Sequence, residues 1–213
     1  MKCVALIPIK TKSTRVKNKN FKILNKRKLY QFFIDKIKKC GFDEIYVDSD
    51  SREIKNYCKK KKINFIERKK HLSKDSANGN DLINYHYKLV KADLYFQLFV
   101  TAPLLSVKTI KNCIQFLKKT KKYDSILTSH KIYSWFWFNN KPVNYEPAVL
   151  PRSQDAKPIT LETTGLYGIK NLALKKYRCR IGKKPYFLNV NKKEALDLDT
   201  NEDFKILKKV YKL

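Results

Sequence analysis

A basic segment directly follows an apolar run near the start of the sequence, and its residue types are those that bind phosphate. After residues 4–9, cations recur at Lys10, Lys12, Arg15, Lys17, Lys19 and Lys22, with no glycine or acid between them. A phosphate chain needs backbone N–H donors and cations. The patterns GxxxxGK[ST] and GxGxxG are absent, which excludes a P-loop and a standard dinucleotide site. The segment either binds a polyphosphate or is the solvated surface of a basic chain.

Two carboxylates near the end of the sequence have the spacing of a metal site. Asp197 and Asp199 lie in ALDLDTNEDF, and the whole chain has 19 acidic residues. In an extended segment, residues two apart project to the same side, and carboxylate oxygens are ligands that Mg²⁺ accepts. Thr200 and Asp203 instead fit a helix N-terminus, as the cap and a first-turn acid. We expect both features, because a cap explains neither Asp197 nor Asp199.

A third group of polar residues lies in LPRSQDAKPITLETTGLYG, where Arg152 and Gln154 precede a turn. The planar guanidinium of arginine suits bidentate recognition of a carboxylate. An ordinary surface arginine would produce the same sequence, so this segment alone does not distinguish the two interpretations.

Apolar runs alternate with amphipathic segments along the chain, and this alternation predicts the elements that position these residues. Strands are predicted at 3–9, 44–47, 63–66, 94–100, 125–128, 166–169 and 186–190. Helices are predicted at 29–40, 53–60, 82–90, 107–117 and 204–210. The order predicts an α/β fold with a mostly parallel sheet and helices on both faces. Ligands of such sheets bind at the carboxyl ends of the strands, where the basic segment begins.

The sequence predicts one domain over residues 1–213, with an excursion at about 131–165 that does not follow the alternation. Both tryptophans lie in this excursion, within the aromatic run Trp135, Phe136, Trp137 and Phe138. The run is interpreted equally well as a contact with a second copy of the chain or as a local core under the excursion.

The composition restricts the partners and the location that we expect. The net charge of +29 invites a nucleic-acid hypothesis, but the cations are spread along the chain as on solvated faces. Acids at the presumed ligand edge would also repel a nucleic-acid backbone. We therefore expect no nucleic-acid partner. No apolar stretch approaches the roughly 20 residues of a membrane helix, so we expect no membrane partner.

Five widely spaced cysteines without a CxxC pair predict reduced thiols, and hence a cytoplasmic location. The strand-like start of the sequence also does not resemble a secretion signal, which agrees with that expectation.

These segments, in this order, resemble the acylneuraminate cytidylyltransferases, the CMP-sialic acid synthetase family. Its opening signature resembles Ile7-Pro8-Ile9-Lys10, followed by Ser13, Arg15 and Lys19-Asn20. Its next motifs resemble Val47-Asp48-Ser49-Asp50-Ser51, Thr101-Ala102-Pro103-Leu104 and Asp124-Ser125. Its later motifs resemble Arg152 with Gln154, Thr164-Gly165-Leu166-Tyr167, and Asp197-Leu198-Asp199-Thr200 with Asp203. The resemblance covers nearly the whole chain.

The resemblance implies a Rossmann-like nucleotidyltransferase fold and a Mg²⁺-dependent reaction with CTP. In that reaction the anomeric hydroxyl of a 2-keto-3-deoxy sugar acid attacks the α-phosphate, pyrophosphate leaves and a CMP-sugar forms. The family usually dimerises through the excursion, so a homodimer is implied as well.

The resemblance also implies roles for individual residues. Nucleotide binding is implied for Lys10, Ser13, Arg15, Lys19, Asn20, Ser76 and Asn78. Binding of the sugar acid is implied for Gln97, Thr101, Arg152, Gln154 and Tyr167. Asp197 and Asp199 would hold the metal, and the residues implied in catalysis are Lys10, Arg15, Lys19 and Asp199.

Several departures from the family pattern bear on recognition of the base and the sugar. Lys10 replaces an arginine, Lys17 replaces a proline, and Phe99 stands where the family has a glutamine, with Gln97 on the same face of the strand. The related Kdo-activating enzymes share Ser13-Thr14-Arg15 but carry an acid after the fourth strand, where this chain has Val-Thr-Ala-Pro. The comparison favours a sialic, legionaminic or pseudaminic type of acid. A nucleotidyltransferase with Kdo, a phosphonate or a sugar phosphate as acceptor is the alternative, followed by a basic nucleic-acid-binding module.

Overall fold

The computed structural model describes residues 1–13, 16–24 and 26–211, and its strands form one large sheet and two small ones. The strands are β1 Cys3–Ile9, β2 Ile23–Leu24, β3 Arg27–Lys28, β4 Glu44–Ser49, β5 Asn64–Glu67, β6 Leu94–Leu98, β7 Ser125–Ile132, β8 Trp137–Phe138, β9 Lys141–Pro142, β10 Ile159–Lys170 and β11 Pro185–Asn189. The helices are α1 Leu29–Ile37, α2 Arg52–Lys61, α3 Gly79–Leu89, α4 Val107–Lys119, α5 Asn171–Tyr177 and α6 Asn201–Tyr211. Within the described ranges, no helix has the length and apolar character needed to cross a membrane.

The main sheet has seven strands in the order β11-β7-β10-β6-β1-β4-β5. The pairings of β1 with β4 and β6, of β4 with β5, and of β11 with β7 are parallel. Strand β10 is antiparallel to both of its neighbours, β6 and β7. The predicted mostly parallel α/β sheet, with a Rossmann-like order of elements, is therefore confirmed.

Strand β1 is apolar along its whole length because helices cover both faces of the sheet. All seven of its residues are buried. The odd-numbered residues from Cys3 to Ile9 pack into a core with α1, α2, α4 and α6. Val4 and Leu6 face the other way, into a second cluster with α3 and α5. Each fully buried aliphatic side chain of this kind contributes about 1.5–3 kcal/mol through the hydrophobic effect.

Helix starts at the ligand edge are fixed by local side-chain caps. The hydroxyl of Ser51 accepts a hydrogen bond from the Ile54 N–H at 3.4 Å and begins α2 directly after β4. The hydroxyl of Ser106 accepts from the Thr109 N–H at 3.1 Å and begins α4. Short capped turns of this kind hold each strand end close to the helix that follows it.

The structure differs from the sequence predictions mainly in the second half of the chain. The strand predicted at 166–169 extends over Ile159–Lys170, and the short helix α5 was not predicted. The helix predicted at 29–40 ends at Ile37. In the excursion, β8 and β9 pair as a small antiparallel hairpin.

Candidate active site

A cavity of about 320 Å³ opens at the carboxyl ends of β1 and β6. Its walls come from the basic segment after β1, the residues before and at the start of α3, the turn after β6, strand β10 and the segment before α6. Seven residues with predicted roles line it: Lys10, Lys19, Asn20, Asn78, Thr101, Asp197 and Asp199. Residues separated by nearly two hundred positions thus meet at the edge where ligands of α/β sheets bind.

The basic segment is held in shape by polar contacts to its backbone and side chains. The amide of Asn20 donates to the Lys10 carbonyl at 3.1 Å, and Asn20 is buried. Thr11 donates from its N–H and its hydroxyl to Asp50, at 2.9 and 2.8 Å. The Lys10 ammonium lies 2.6 Å from a carboxylate oxygen of Asp75. The segment is therefore held by one internal contact and by two aspartates from elsewhere in the chain, and its first lysine is already paired with an anion.

Lys19 joins the basic segment to the late acidic pair. Its ammonium lies 3.2 Å from a carboxylate oxygen of Asp199 and donates to the Leu198 carbonyl at 3.1 Å. The Lys19 side chain is 16% exposed, so this contact is better shielded from solvent than a surface ion pair. The contact therefore joins a residue predicted to bind phosphate, Lys19, to a residue predicted to bind the metal, Asp199.

One carboxylate oxygen of Asp197 accepts a hydrogen bond, and the other has no hydrogen-bond partner. The hydroxyl of Thr164 donates to its Oδ2, whereas Oδ1 is buried without a hydrogen-bond partner. Thr164 lies in β10 where the register shifts between Glu162 and Tyr167, and a bulge of this kind re-aims side chains. A buried, unpartnered carboxylate oxygen is costly unless it meets a ligand, and a hard cation is a suitable one.

The helix cap predicted beside this pair is present. The Asp203 carboxylate accepts from the Asp199 and Thr200 N–H groups at 3.0 and 2.7 Å, and the Asp203 N–H donates to the Thr200 hydroxyl at 3.1 Å. Burial raises the pKa of Asp203, but hydrogen bonds from the Thr200 hydroxyl and from the Thr200 and Asp199 N–H groups outweigh it and hold the pKa below its ordinary value. The cap and the acidic pair therefore coexist, with the cap fixing the backbone that carries Asp199.

The cavity is also lined by Arg68, whose guanidinium is anchored by a buried cluster. The Arg68 Nε donates to Asp48 Oδ1 at 2.9 Å, and His86 Nε2 lies 2.7 Å from Asp48 Oδ2. The Asp48 and His86 side chains are 1% and 0% exposed. Burial by itself raises the pKa of Asp48, but the His86 hydrogen bond and the charges of Arg68 and His86 hold it below its ordinary value.

Several residues with predicted roles lie away from the cavity walls. Arg152 is 75% exposed and pairs with Asp155 at 2.6 Å, and Gln154 beside it is exposed. Ser76 is exposed in a neighbouring surface groove, and Ser13 is half-buried outside the cavity. The roles predicted for Arg15 fall outside the described residues.

Gln97 and Tyr167 are buried behind the cavity and form a cross-strand pair between β6 and β10. The Gln97 amide donates to the Gly79 carbonyl at 3.1 Å, and the Tyr167 hydroxyl donates to Glu162. Asn78 lines the cavity and also caps α3, since its side-chain oxygen accepts from the Asn80 N–H at 2.8 Å.

Two arginines that line the cavity, Arg68 and Arg180, were not identified from the sequence. The rarity of arginine in this chain is a signal that could have identified them, because only seven of the 48 cationic residues are arginine and the rest are lysine. With Lys10, Lys19 and Lys74 they give the cavity five cations against the two carboxylates Asp197 and Asp199. That excess of positive charge suits a polyanionic ligand.

The geometry agrees with the comparison to known families. The sequence pattern of the family described as cytidylyltransferase matches residues 4–213, nearly the whole chain. The chain belongs to the cytidylyltransferase family. The resemblance predicted from the motifs is thereby confirmed at the family level.

Two curated relatives carry related names. The chain is 26% identical, over 97% of its length, to a Helicobacter pylori protein named pseudaminic acid cytidylyltransferase and UDP-2,4-diacetamido-2,4,6-trideoxy-beta-L-altropyranose hydrolase. It is 23% identical, over 78% of its length, to N-acylneuraminate cytidylyltransferase A of Danio rerio. The matched regions cover 42% and 40% of those two proteins, so the chain spans less than half of either.

A solved structure shares the fold over its whole length. It is described as CMP:2-keto-3-deoxy-manno-octonic acid synthetase complexed with CTP, and it superposes with a TM-score of 0.75. The alignment covers 100% of this chain and 99% of the other, at 15% identity. The nucleotidyltransferase fold expected from the motifs is thus confirmed.

Proposed function

We propose that this cytidylyltransferase-family protein transfers CMP from CTP to a 2-keto-3-deoxy sugar acid and releases pyrophosphate. The observation that carries the proposal is the meeting of Lys10 and Lys19 with Asp197 and Asp199 in one cavity at the sheet edge. Cations suit the triphosphate, and the carboxylate pair suits the metal that usually accompanies it. The family membership supports the choice of a cytidine nucleotide.

The reaction asks the protein for position and charge more than for covalent chemistry. The anomeric hydroxyl oxygen forms a bond to the α-phosphorus and loses its proton. The bond between the α-phosphorus and the oxygen that bridges to the β-phosphate breaks, and pyrophosphate leaves. Lys10 and Lys19 stabilise the negative charge that the phosphates carry during this step. In the structure these lysines are paired with Asp75 and Asp199. The bound triphosphate would either replace these aspartates as the partners of the lysines or share the lysines with them.

A magnesium ion fits the residues present. Asp197 offers a buried oxygen without a partner, and Asp199 follows two residues later at the cavity wall. No group of three His, Cys, Asp or Glu ligands occurs within the part of the chain that the structure describes. Magnesium commonly takes one or two carboxylates and completes its shell with phosphate oxygens and water. When bound, it would neutralise phosphate charge, with Asp197 and Asp199 as its protein ligands.

Direct transfer is favoured over a covalent enzyme intermediate. Among the described residues, no cysteine, serine or histidine lines the cavity. Burial raises the pKa of Cys3 to about 12 and that of Cys58 to about 11, so these thiols stay protonated. A protonated, buried thiol is a poor nucleophile.

The proposed acceptor is a nonulosonic acid of the sialic, legionaminic or pseudaminic type. The names of the two curated relatives support this class, and so does the absence of an acid in the turn after β6. Kdo is the second candidate, because the solved structure that shares this fold is named as a synthetase for that acid. The Ser13-Thr14-Arg15 sequence also favours it.

We also propose that the enzyme is a cytoplasmic homodimer. All five cysteines are free thiols, as expected in a reducing compartment. Trp135, Trp137 and Phe138 are 41%, 57% and 71% exposed, which argues against a local core under the excursion. An aromatic patch of this kind is typical of a surface that another chain covers.

The test is pyrophosphate release with CTP, Mg²⁺ and a panel of sialic, legionaminic, pseudaminic and Kdo acids. We expect release only when CTP, the metal and a nonulosonic acid are all present. Release with Kdo alone would select the second candidate. CTP binding without turnover on any acid would indicate a related nucleotidyltransferase with a phosphonate or sugar phosphate acceptor. Salt-sensitive binding of nucleic acid that CTP does not affect would contradict the proposal.

A further inference from the structure

Arg180 reaches the cavity from a segment that no sequence motif singled out. It follows α5 and precedes β11, and it lines the cavity opened by the basic segment. Its backbone N–H donates to the side-chain oxygen of Asn80 at 2.9 Å, which fixes the segment onto the start of α3. The residue is therefore held at the cavity by its backbone as well as by its side chain.

The guanidinium of Arg180 lies over an aromatic ring. Its central carbon lies 3.6 Å from the ring centroid of Tyr167, within the range of a cation–π contact. One of its nitrogens lies 3.4 Å from a carboxylate oxygen of Glu162, which also accepts from the Tyr167 hydroxyl. The Arg180 side chain is 22% exposed. The contacts to Tyr167 and Glu162 restrict the movement of the group, while most of its five N–H donors remain for a ligand.

Gly79 provides the space that the guanidinium occupies. A Cβ atom at this position would lie 2.3 Å from the Arg180 Nη1, so any side chain at residue 79 would displace the group. The Gly79 carbonyl in turn accepts from the Gln97 amide, whose Oε1 is buried without a partner. Since Gln97 and Tyr167 are direct cross-strand partners, Gly79 is connected through Gln97 to the strand that carries the ring under Arg180.

We propose that Arg180 binds the carboxylate of the sugar acid and determines the choice of acceptor, an inference that rests on the proposed function. Arginine presents paired donors that match a carboxylate, and a stacked guanidinium loses little freedom on binding. The other cavity cations with described anionic partners are closer to those partners than Arg180 is to Glu162. The distances are 2.6 Å for Lys10, 2.9 Å for Arg68 and 3.2 Å for Lys19. Arg152, the arginine that the sequence suggested for this task, is 75% exposed and outside the cavity.

The experiment compares steady-state kinetics of the full-length wild type with those of Arg180→Gln. The variant should raise the KM for the sugar acid about 10- to 100-fold, as expected for a lost charge-assisted hydrogen bond, and leave the KM for CTP within about twofold. The methyl ester of the acid provides a second readout. Wild type should discriminate strongly against the ester, and Arg180→Gln should lose most of that discrimination because the carboxylate no longer has its partner.

Arg178→Gln is the matched control, because Arg178 is exposed, lies two residues earlier and has its guanidinium over Tyr87 instead of in the cavity. It removes the same charge and should leave both KM values unchanged. If Arg180→Gln does not fold by circular dichroism, Arg180→Lys decides, since it keeps the charge but not the paired donors. A severalfold rise in acceptor KM is then expected, and an unchanged value overturns the inference.

Three further outcomes would also overturn the inference. They are a raised KM for CTP alone, ester discrimination that persists in Arg180→Gln, and a larger effect from Arg152→Gln than from Arg180→Gln. No turnover by wild type on the acid panel would instead show that the proposed function is wrong, and the inference would fall with it. The two failures are distinguishable because only the second affects the wild type.

Discussion

Replacing Asp48 by asparagine removes the only described anion that faces two buried basic side chains. Arg68 and His86 lie 2.9 and 2.7 Å from its two carboxylate oxygens. The Arg68 side chain is 2% exposed, so water cannot solvate its positive charge once the Asp48 carboxylate is gone. Asparagine keeps the shape of the side chain, and the substitution therefore tests charge rather than packing.

The expected loss of stability follows from this burial. Removing one partner of a buried ion pair costs about 3–5 kcal/mol, because the remaining charge stays desolvated. For a chain of 213 residues, each kcal/mol lowers the Tm by about 2–4 °C, so we expect a fall of roughly 6–20 °C.

The assay is urea unfolding followed by circular dichroism, with Asp155→Asn as the control. Asp155 pairs with Arg152 at 2.6 Å, but these side chains are 48% and 75% exposed. Exposed pairs contribute at most about 1 kcal/mol, so the control should be nearly silent. A change below about 1 kcal/mol for Asp48→Asn would refute the reasoning that this buried cluster stabilises the fold.

The pH dependence provides a second check on Asp48. Its pKa is lowered below the ordinary value of 3.8 in the folded protein. A carboxylate with a lowered folded pKa contributes stability above its unfolded pKa and loses it as the pH falls through the folded pKa. The stability difference between wild type and Asp48→Asn should therefore be full at pH 6–7 and shrink below about pH 4.

The remaining predictions concern the cavity and the excursion. Lys19→Gln should raise the KM for CTP about 10- to 100-fold, because Lys19 lines the cavity. Lys17→Gln is the control, because Lys17 is exposed in the same segment, and it should leave this KM unchanged. Equal effects of the two substitutions would contradict the division of the segment into binding and solvated cations. Asp197→Asn should raise the Mg²⁺ concentration needed for half-maximal turnover at least about tenfold, measured by pyrophosphate release, and an unchanged metal dependence would remove Asp197 from the metal site. The double substitution Trp137→Ser and Phe138→Ser should convert a dimer into a monomer in light scattering, and a wild-type monomer would contradict the proposed interface.

The sheet was predictable because its central strands carry an unambiguous pattern. Strand β1 is a continuous apolar run, and helices such as α4 place apolar residues on one face at helical spacing. The antiparallel β10 was only partly predicted, because its first half lies within the excursion and is mostly exposed or half-buried, with only Thr163 buried. Helix α5 has seven residues, which is too short for a periodicity to be recognised.

The candidate site was predictable where residues belong to a motif and not where tertiary contacts assemble it. Lys19 and Asp199 were identified from two distant motifs, and the structure brings them within 3.2 Å. Arg180 was missed because its place above Tyr167 depends on how the segment before β11 docks on α3, which local sequence does not encode. Arg152 was assigned from its motif, but its exposure depends on the path of the excursion.

The most direct test of the central claim is the identity of the product. Wild-type protein is incubated with CTP, Mg²⁺ and the accepted acid, and the mixture is followed by ³¹P NMR and mass spectrometry. We predict one phosphodiester that joins CMP to the acid, and one pyrophosphate, for every acid consumed. Formation of free CMP and pyrophosphate from the start with the acid intact, or no consumption of CTP with any acid of the panel, would contradict it.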